Sequence, residues 1–477
     1  MSIFDSVRRF FHRATPVSAD PIRHVVVLMF ENHSFDQMLG CFKSVYPRLE
    51  GVDPKDPRTN SDSTGRAYPQ QASDDTTVDP DPMHEVEHIL NQLANGNSGF
   101  VSEYEKEYPT TTPDQRRKIM DYFGMGKLPA LHELAGQFTI CDHWYSSVPG
   151  PTWTNRFFVH SGTSLGRVRM PEGFQPSFYL GYDQATIYDR LNEKGIPWLI
   201  YHGDVPLSLL LSHQRKFKNS ARYRWLADFF VDASGPEADF PAYVFIEPNY
   251  FHFPLEQQPQ NDDHPPHSTT AAQALLAEVY NAIRRNDDLW NSTLLVVLYD
   301  ENGGFYDHVS PPVAVPPDSH DEEYTFDRYG VRVPAVLISP WVDQRVLDTE
   351  FDHTSLLKYL IEKWSLAPLT NRVSKANSIG EAIMGSCRSN TPTSLPVAEM
   401  KPMMATAVAD QAALPFSDHQ RALLGFTKFL ESETKPPADA MAPAFARELP
   451  SEAHRARDRV RVFLEHQRAA AGLVEEP

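Results

Sequence analysis

The sequence predicts an α/β protein, a mostly parallel sheet sandwiched between helices and followed by a helical C-terminal appendage. Two observations predict it. Four short apolar runs are β-branched and show little alternation, as strands covered on both faces require. Segments with apolar residues at 3–4 spacing lie between them, and alternating strand and helix signals indicate a doubly wound sheet.

The runs are Val25–Phe30 (VVVLMF), Tyr243–Ile246 (YVFI), Leu294–Tyr299 (LLVVLY) and Ala335–Ser339 (AVLIS), with Trp198–Tyr201 as a candidate fifth. Helical spacing is clearest over Ala272–Arg285, through Leu275, Leu276, Val279, Tyr280 and Ile283. It recurs over Asp352–Trp364, through Leu356, Leu357, Leu360 and Ile361. Residues 48–82 are rich in Asp, Pro, Ser and Thr and predict a long surface excursion. Three segments follow from these textures: an N-terminal stretch (1–21), a main domain (22–385) and an appendage (386–477). In the appendage, helical stretches are expected near 417–432 and 451–470, the latter with Val460, Phe463 and Leu464 on one face.

With 477 residues, 41% hydrophobic and 22% charged, the chain can bury a large core. Its net charge of −19 argues against a nucleic-acid partner, because phosphate backbones need a basic face. Cys41, Cys141 and Cys387 are too few and too scattered for a disulfide framework or a thiolate zinc site. No run approaches the roughly 18 apolar residues of a membrane span. Arg8-Arg9 is followed by polar residues where a signal core should be, so no cleavable signal is read. The expectation is a cytoplasmic protein, or one exported by a signal-independent route. Phe4, Val7, Phe10 and Phe11 suit either a small interfacial helix or one docked on the core.

Open parallel sheets bind ligands beyond the carboxyl ends of their strands. There the sequence places Glu31-Asn32, Asp300-Glu301-Asn302 and Glu247-Pro248-Asn249. Oxygen donors without thiols suit a hard or borderline divalent cation, though strand-end Asp and Asn also serve as turn and cap residues. Gly303-Gly304 permits a sharp bend, and Asp307-His308 follows as a catalytic or merely structural pair. Thr152, after the turn Pro149-Gly150-Pro151, opens a candidate helix. It reads either as an ordinary N-cap or as a hydroxyl set where free N–H groups favour a phosphate. His84, His264 and His353 each follow acidic residues in loops or at a helix start, making them candidates for phosphate contact and proton transfer. One competing motif, His84-Glu85-Val86-Glu87-His88, fits the HExxH helix of zinc peptidases.

The residues also carry a resemblance. ENHSFD at 31–36, DPDPMHE at 79–85, VPGPTWTNRFF at 148–158, FIEPNY at 245–250, NDDHPP at 261–266, YDENGGFYDHVSPP at 299–312 and FDHTSLLKYL at 351–360 form a specific set. With it the chain resembles the phosphoesterase family of bacterial non-haemolytic phospholipases C, related acid phosphatases and plant non-specific phospholipases C. The resemblance implies an alkaline-phosphatase-like fold and a metal-dependent phosphoric-ester hydrolase working through a phosphothreonine intermediate. It implies one or more divalent ions (Zn, Ca, Mg or Mn) on Glu31, Asn32, Asp300, Glu301 and Thr152, with Thr152 as nucleophile. It implies that His84, His264 and His353 contact the phosphate, with His353 or His264 protonating the leaving oxygen. The substrate is then a glycerophospholipid, with transient membrane-surface contact, or a small phosphate monoester. Trp144, Trp153, Phe157, Phe174 and Phe178 permit an apolar groove for a lipid. Thr154 stands where family members commonly have proline, leaving a second hydroxyl beside the nucleophile.

Overall fold

The computed structural model describes residues 20–74, 77–171, 174–253, 256, 258–397, 416–434 and 451–470. Expectations placed on residues 1–19 and 398–415 lie outside the described residues. Eight strands form one sheet: β1 (His24–Phe30), β2 (Thr139–Cys141), β3 (Trp198–His202), β4 (Tyr223–Trp225), β5 (Tyr243–Glu247), β6 (Thr293–Tyr299), β7 (Ala335–Ile338) and β8 (Arg345–Leu347). Across the sheet they run β8-β2-β7-β6-β1-β5-β3-β4. Every residue of β1 and β6 is buried, and because successive side chains point to opposite faces, both faces are covered. The two strands pair in parallel, with Val27 opposite Val296 and Phe30 opposite Tyr299.

β7 departs from the parallel expectation: it pairs antiparallel with β6 and with β2. The cause is its connection. Residues 300–334 contain no helix to carry the chain back across the sheet, so β7 starts from the edge where β6 ended. The predicted surface excursion at 48–82 is likewise not featureless. It contains an antiparallel pair, Thr59–Ser61 with Ala67–Pro69, and a strand Gln71–Ser73 beside Asp121–Phe123.

Among the described residues the longest helices are α1 (Thr152–Ser161), α2 (Thr270–Arg284), α3 (His353–Trp364), α4 (Asp418–Glu433) and α5 (Glu452–Ala470). Asp352, expected as the first residue of α3, is instead its N-cap. The C-terminal helices dock on the main domain. Phe426 and Phe429 pack their rings 5.5 and 5.3 Å from that of Tyr179, and Arg468 Nη2 donates to the Tyr223 carbonyl of β4 at 2.6 Å. Leu423, Phe426, Leu430, Val460, Phe463 and Leu464 are buried in the same apolar cluster as β1 and β6. Among the described residues no helix is long and apolar enough to cross a membrane.

Candidate active site

Since β1 and β6 are neighbours in register, Glu31 and Asp300 leave the sheet side by side. The turn after β1 is unusual: Asn32 sits at φ 63°, and its N–H donates to Asp300 Oδ1 at 3.2 Å. The Glu301 N–H donates to the same oxygen at 2.7 Å, and the His33 N–H donates to the Glu301 carbonyl at 3.0 Å. Gly303 makes this close lacing feasible. It lies at φ +60°, and a Cβ there would stand 2.1 Å from the Asn32 carbonyl oxygen.

Opposite this edge, the Val148–Pro151 turn is held by one side chain. Asn155 Oδ1 accepts from the Val148 N–H at 3.0 Å, and its Nδ2 donates to the Gly150 carbonyl at 2.8 Å. The N-cap of α1 is therefore Pro151, and Thr152 is the first helical residue. That removes the capping explanation for its hydroxyl, which is fully buried and finds no hydrogen-bond partner among the described residues. Thr154 differs, since its hydroxyl donates to the Arg167 carbonyl at 3.4 Å. One turn beyond Thr152 on the same face comes Arg156. Its Nε donates to Asp300 Oδ2 at 3.0 Å, and its Nη2 lies 3.1 Å from Glu31 Oε1. The buried guanidinium thus ties α1 to both strand ends, a role the sequence did not disclose.

The three predicted histidines are placed differently from one another. His84 Nδ1 donates to the Pro82 carbonyl at 2.9 Å, and Nε2 points inward, 3.4 Å from Asn32 Nδ2. The His264 ring lies 5.8 Å from that of His84; its Nδ1 donates to the Pro265 carbonyl, and its Nε2 is 3.8 Å from Asp81 Oδ2. His353 behaves otherwise. Trp144 Nε1 donates to its Nδ1 at 3.2 Å, and its Nε2 donates to the Asp300 carbonyl at 2.6 Å. Both nitrogens are committed to protein, so His353 presents no free nitrogen to a phosphate; it braces the end of β6. The sequence reading also passed over His419 on α4, which sits 3.5 Å from Glu31 Oε2. The signal was available, because Asp418-His419 repeats the acid-then-histidine pattern at a helix start.

Burial sets the electrostatics. It raises Glu31 well above the ordinary carboxylate range, opposed by Arg156 and reinforced by Asp300, Asp262 and Glu301. It raises Asp300 against the same arginine, and pushes Glu301 up to about 8 against His84. His84 moves up despite burial, because Glu301, Asp81 and Glu85 face it. Glu31 Oε2, Asn32 Oδ1, Thr152 Oγ1, Glu301 Oε1 and Asn302 Oδ1 accept or donate no hydrogen bond among the described residues. Buried oxygens without donors, beside carboxylates whose charge a single guanidinium only partly offsets, fit a hard divalent cation.

Other predicted groups resolve into structure. Glu247 accepts from the Leu207 and Ser208 N–H groups at 2.6 and 3.2 Å, so it anchors a neighbouring loop. Asp36, Asp307 and His308 are close enough to hold an ion, but the Arg332 guanidinium donates to both carboxylates and fills that role. The HExxH reading fails on geometry. Glu85 is the N-cap of the helix Val86–Gln92, which leaves His84 outside it, while His88 Nδ1 pairs with Glu103 at 2.8 Å.

Residues 22–367 match the Phosphoesterase family. Non-specific phospholipase C3 of Arabidopsis thaliana is 35% identical over 411 residues, covering 80% of this chain and 77% of the relative. Non-hemolytic phospholipase C of Burkholderia pseudomallei is 26% identical over 396 residues, covering 71% and 54%. Among solved structures, a protein in the alkaline phosphatase superfamily from Vibrio parahaemolyticus aligns over 51% of this chain and 62% of its own, with TM-score 0.31 and 12% identity. With a family match over residues 22–367, and a plant relative 35% identical across most of both chains, the chain belongs to the phosphoesterase family and is a phosphoric ester hydrolase.

Proposed function

We propose that the chain is a phospholipase C, cleaving glycerophospholipids to diacylglycerol and a phosphorylated head group with Thr152 as nucleophile. The observation that carries the chemistry is the buried, partnerless Thr152 hydroxyl at the head of α1, one turn from the arginine that joins Glu31 and Asp300. The lipid substrate is supported by the relatives, since plant non-specific phospholipases C match at 35% identity over more than three quarters of both chains.

A divalent cation held by Glu31, Asn32, Asp300, Glu301 and Thr152 would favour ionisation of the hydroxyl and offset charge on the phosphoryl oxygens, an effect worth several kcal/mol. Thr152 Oγ releases its proton to solvent and attacks phosphorus in line, and the bond from phosphorus to the glycerol oxygen breaks. His84, held in its charged form by facing carboxylates, delivers a proton from Nε2 to that leaving oxygen. Water then attacks the phosphothreonine. It returns a proton to His84, Thr152 Oγ takes a proton back from solvent as its bond to phosphorus breaks, and the phosphorylated head group is released. His264, its Nδ1 occupied, offers Nε2 to the phosphoryl group. His353 acts by positioning the Asp300 backbone, not by proton transfer.

For contact with a lipid surface, Trp144, Trp153 and Phe157 are unsuitable because all three are buried in the core. Phe174 and Leu180, 50% and 58% exposed, flank in sequence Phe178, whose ring lies 6.2 Å from that of Trp153 in α1, and are apolar side chains that could enter an interface. The test compares phosphatidylcholine vesicles with p-nitrophenyl phosphate, with and without chelator. Release of phosphocholine and diacylglycerol, lost on chelation and restored by a divalent cation, is the expected result. Hydrolysis of the monoester alone would make the enzyme an acid phosphatase, and turnover indifferent to chelator would remove the cation from the mechanism.

A further inference from the structure

The family match ends at residue 367, yet the first turn of α4 reaches the catalytic edge of the sheet. His419 is 2% exposed, and neither of its ring nitrogens makes a hydrogen bond among the described residues. Its Nδ1 lies 3.5 Å from Glu31 Oε2. Its ring stacks on Tyr250 (5.0 Å, 29°) and meets the ring of His264 edge-on at 6.3 Å. Together with His84 and His264 it lines a cavity of about 250 Å³ that opens beside Asp81 and Arg421.

The placement is built, not incidental. Ser417 and Gln420 form a capping box at the start of α4, and Gln420 Nε2 donates to the Tyr250 carbonyl at 2.7 Å. That fixes the imidazole between its two neighbours. Tyr250 in turn lies under the Arg156 guanidinium, 5.5 Å from its ring centre, so the stack is continuous with the residues that join the strand ends. A side chain serving only as apolar filler would not need two polar ring atoms in a site where neither is bonded, because each carries a desolvation cost.

We infer that the C-terminal segment is part of the catalytic unit, and that His419 donates a ring N–H to an oxygen of the bound phosphoryl group. This deepens the phosphoester reading above and rests on it. His419 is thus a fourth imidazole of the substrate cavity, beside His84, His264 and His267, supplied from outside the part of the chain that the family match covers.

The test uses the full-length, metal-loaded protein and two variants. His419→Phe keeps the stacking on Tyr250 and removes the N–H; His419→Gln keeps a donor. Binding of inorganic phosphate is measured by titration calorimetry, bound metal by elemental analysis and fold by thermal melting. The Phe variant should bind phosphate at least tenfold more weakly at unchanged metal content and melting temperature, with the Gln variant between it and wild type. Should the Phe variant fail to fold, the Gln variant must still show weakened phosphate binding. Wild-type phosphate affinity in a folded Phe variant, alongside wild-type turnover of phosphatidylcholine, would overturn this inference alone. Loss of bound metal in both variants would also overturn it, by placing the imidazole on the cation. Failure of the wild-type protein to bind phosphate or hydrolyse any phosphoester would overturn the phosphoester reading, and this inference with it.

Discussion

Thr152→Val separates a hydroxyl kept for chemistry from one kept for stability. The substitution preserves shape and β-branching at the first position of α1, so helix propensity barely changes. What it removes is a fully buried oxygen with no hydrogen-bond partner among the described residues. An unsatisfied buried polar group costs about 1–3 kcal/mol, so in metal-free protein the Val variant should be the more stable by about 1–2 kcal/mol. A chain of this length gains unfolding entropy of about 1 kcal/mol per kelvin, so the melting temperature should rise by about 1–2 °C. With a divalent cation added the order should invert, because the wild-type hydroxyl gains a partner that valine cannot supply. Scanning calorimetry on chelated and metal-loaded samples reads both signs, and turnover in the Val variant should fall to background. A destabilised Val variant in chelator would mean that the hydroxyl is already bonded in the fold. Retained turnover would move the nucleophile elsewhere.

Gly303→Ala should cost about 2–4 kcal/mol, since the new Cβ meets the Asn32 carbonyl at 2.1 Å in a left-handed conformation. Denaturant melts would show it, and a wild-type-like midpoint would refute the lacing of the Asp300 loop against Asn32. pH provides a second check. Glu301 has its folded pKa raised to about 8, so its contribution to stability is complete below the unfolded carboxylate range and is lost as pH rises through about 8. His84, also raised, has the same sign. Chelated protein should therefore melt at a lower temperature at pH 8.5 than at pH 5.5, and added divalent cation should stabilise it more at the higher pH. Equal stabilisation at both values would show that the carboxylates are not tied to the cation.

The sheet was legible where burial on both faces leaves a mark. VVVLMF and LLVVLY became the two central strands because nothing but apolar, β-branched side chains suits such positions. Thr139–Cys141, Tyr223–Trp225 and Arg345–Leu347 left no such mark. Three residues are too few for periodicity, and the flanking loops, not their own pattern, bring them into register. The direction of Ala335–Ile338 was hidden for a different reason, since it depends on the missing crossover and not on the strand itself. In the site, the strand-end acids could be read from topology, but Arg156 could not. An arginine one turn after a threonine looks like any helix residue until the strand ends are seen to lie beneath it. Asp307-His308 shows the converse limit. Its chemistry looked reactive, and only the distant Arg332 reveals a closed ion-pair network.

Charge balance at the sheet edge links the strand-end acids to the substrate. Glu31, Asp300 and Glu301 bring three carboxylates, against which Arg156 and a protonated His84 bring two positive charges. Without a cation that imbalance falls on a fully buried set, which is why burial pushes all three carboxylates up. A divalent cation would let all three ionise and would turn the sum over these five groups to plus one, since burial pushes the neighbouring Asp81 and Asp262 toward their neutral acids. One negative charge then closes the balance, and a phosphodiester carries one where an ionised monoester carries two. On the proposed reading the site is therefore electrostatically matched to a diester such as a phospholipid. A monoester would have to bind as its monoanion, or draw on further N–H donors such as those of His264 and His419. Comparing the affinity of the wild-type protein for phosphocholine and for dimethyl phosphate across pH 5–8 reads that balance directly. Affinity for the diester should hold steady, whereas affinity for the monoester should fall as its second proton is lost near pH 6. Rising affinity for the monoester over that range would show that the edge carries more positive charge than these residues supply.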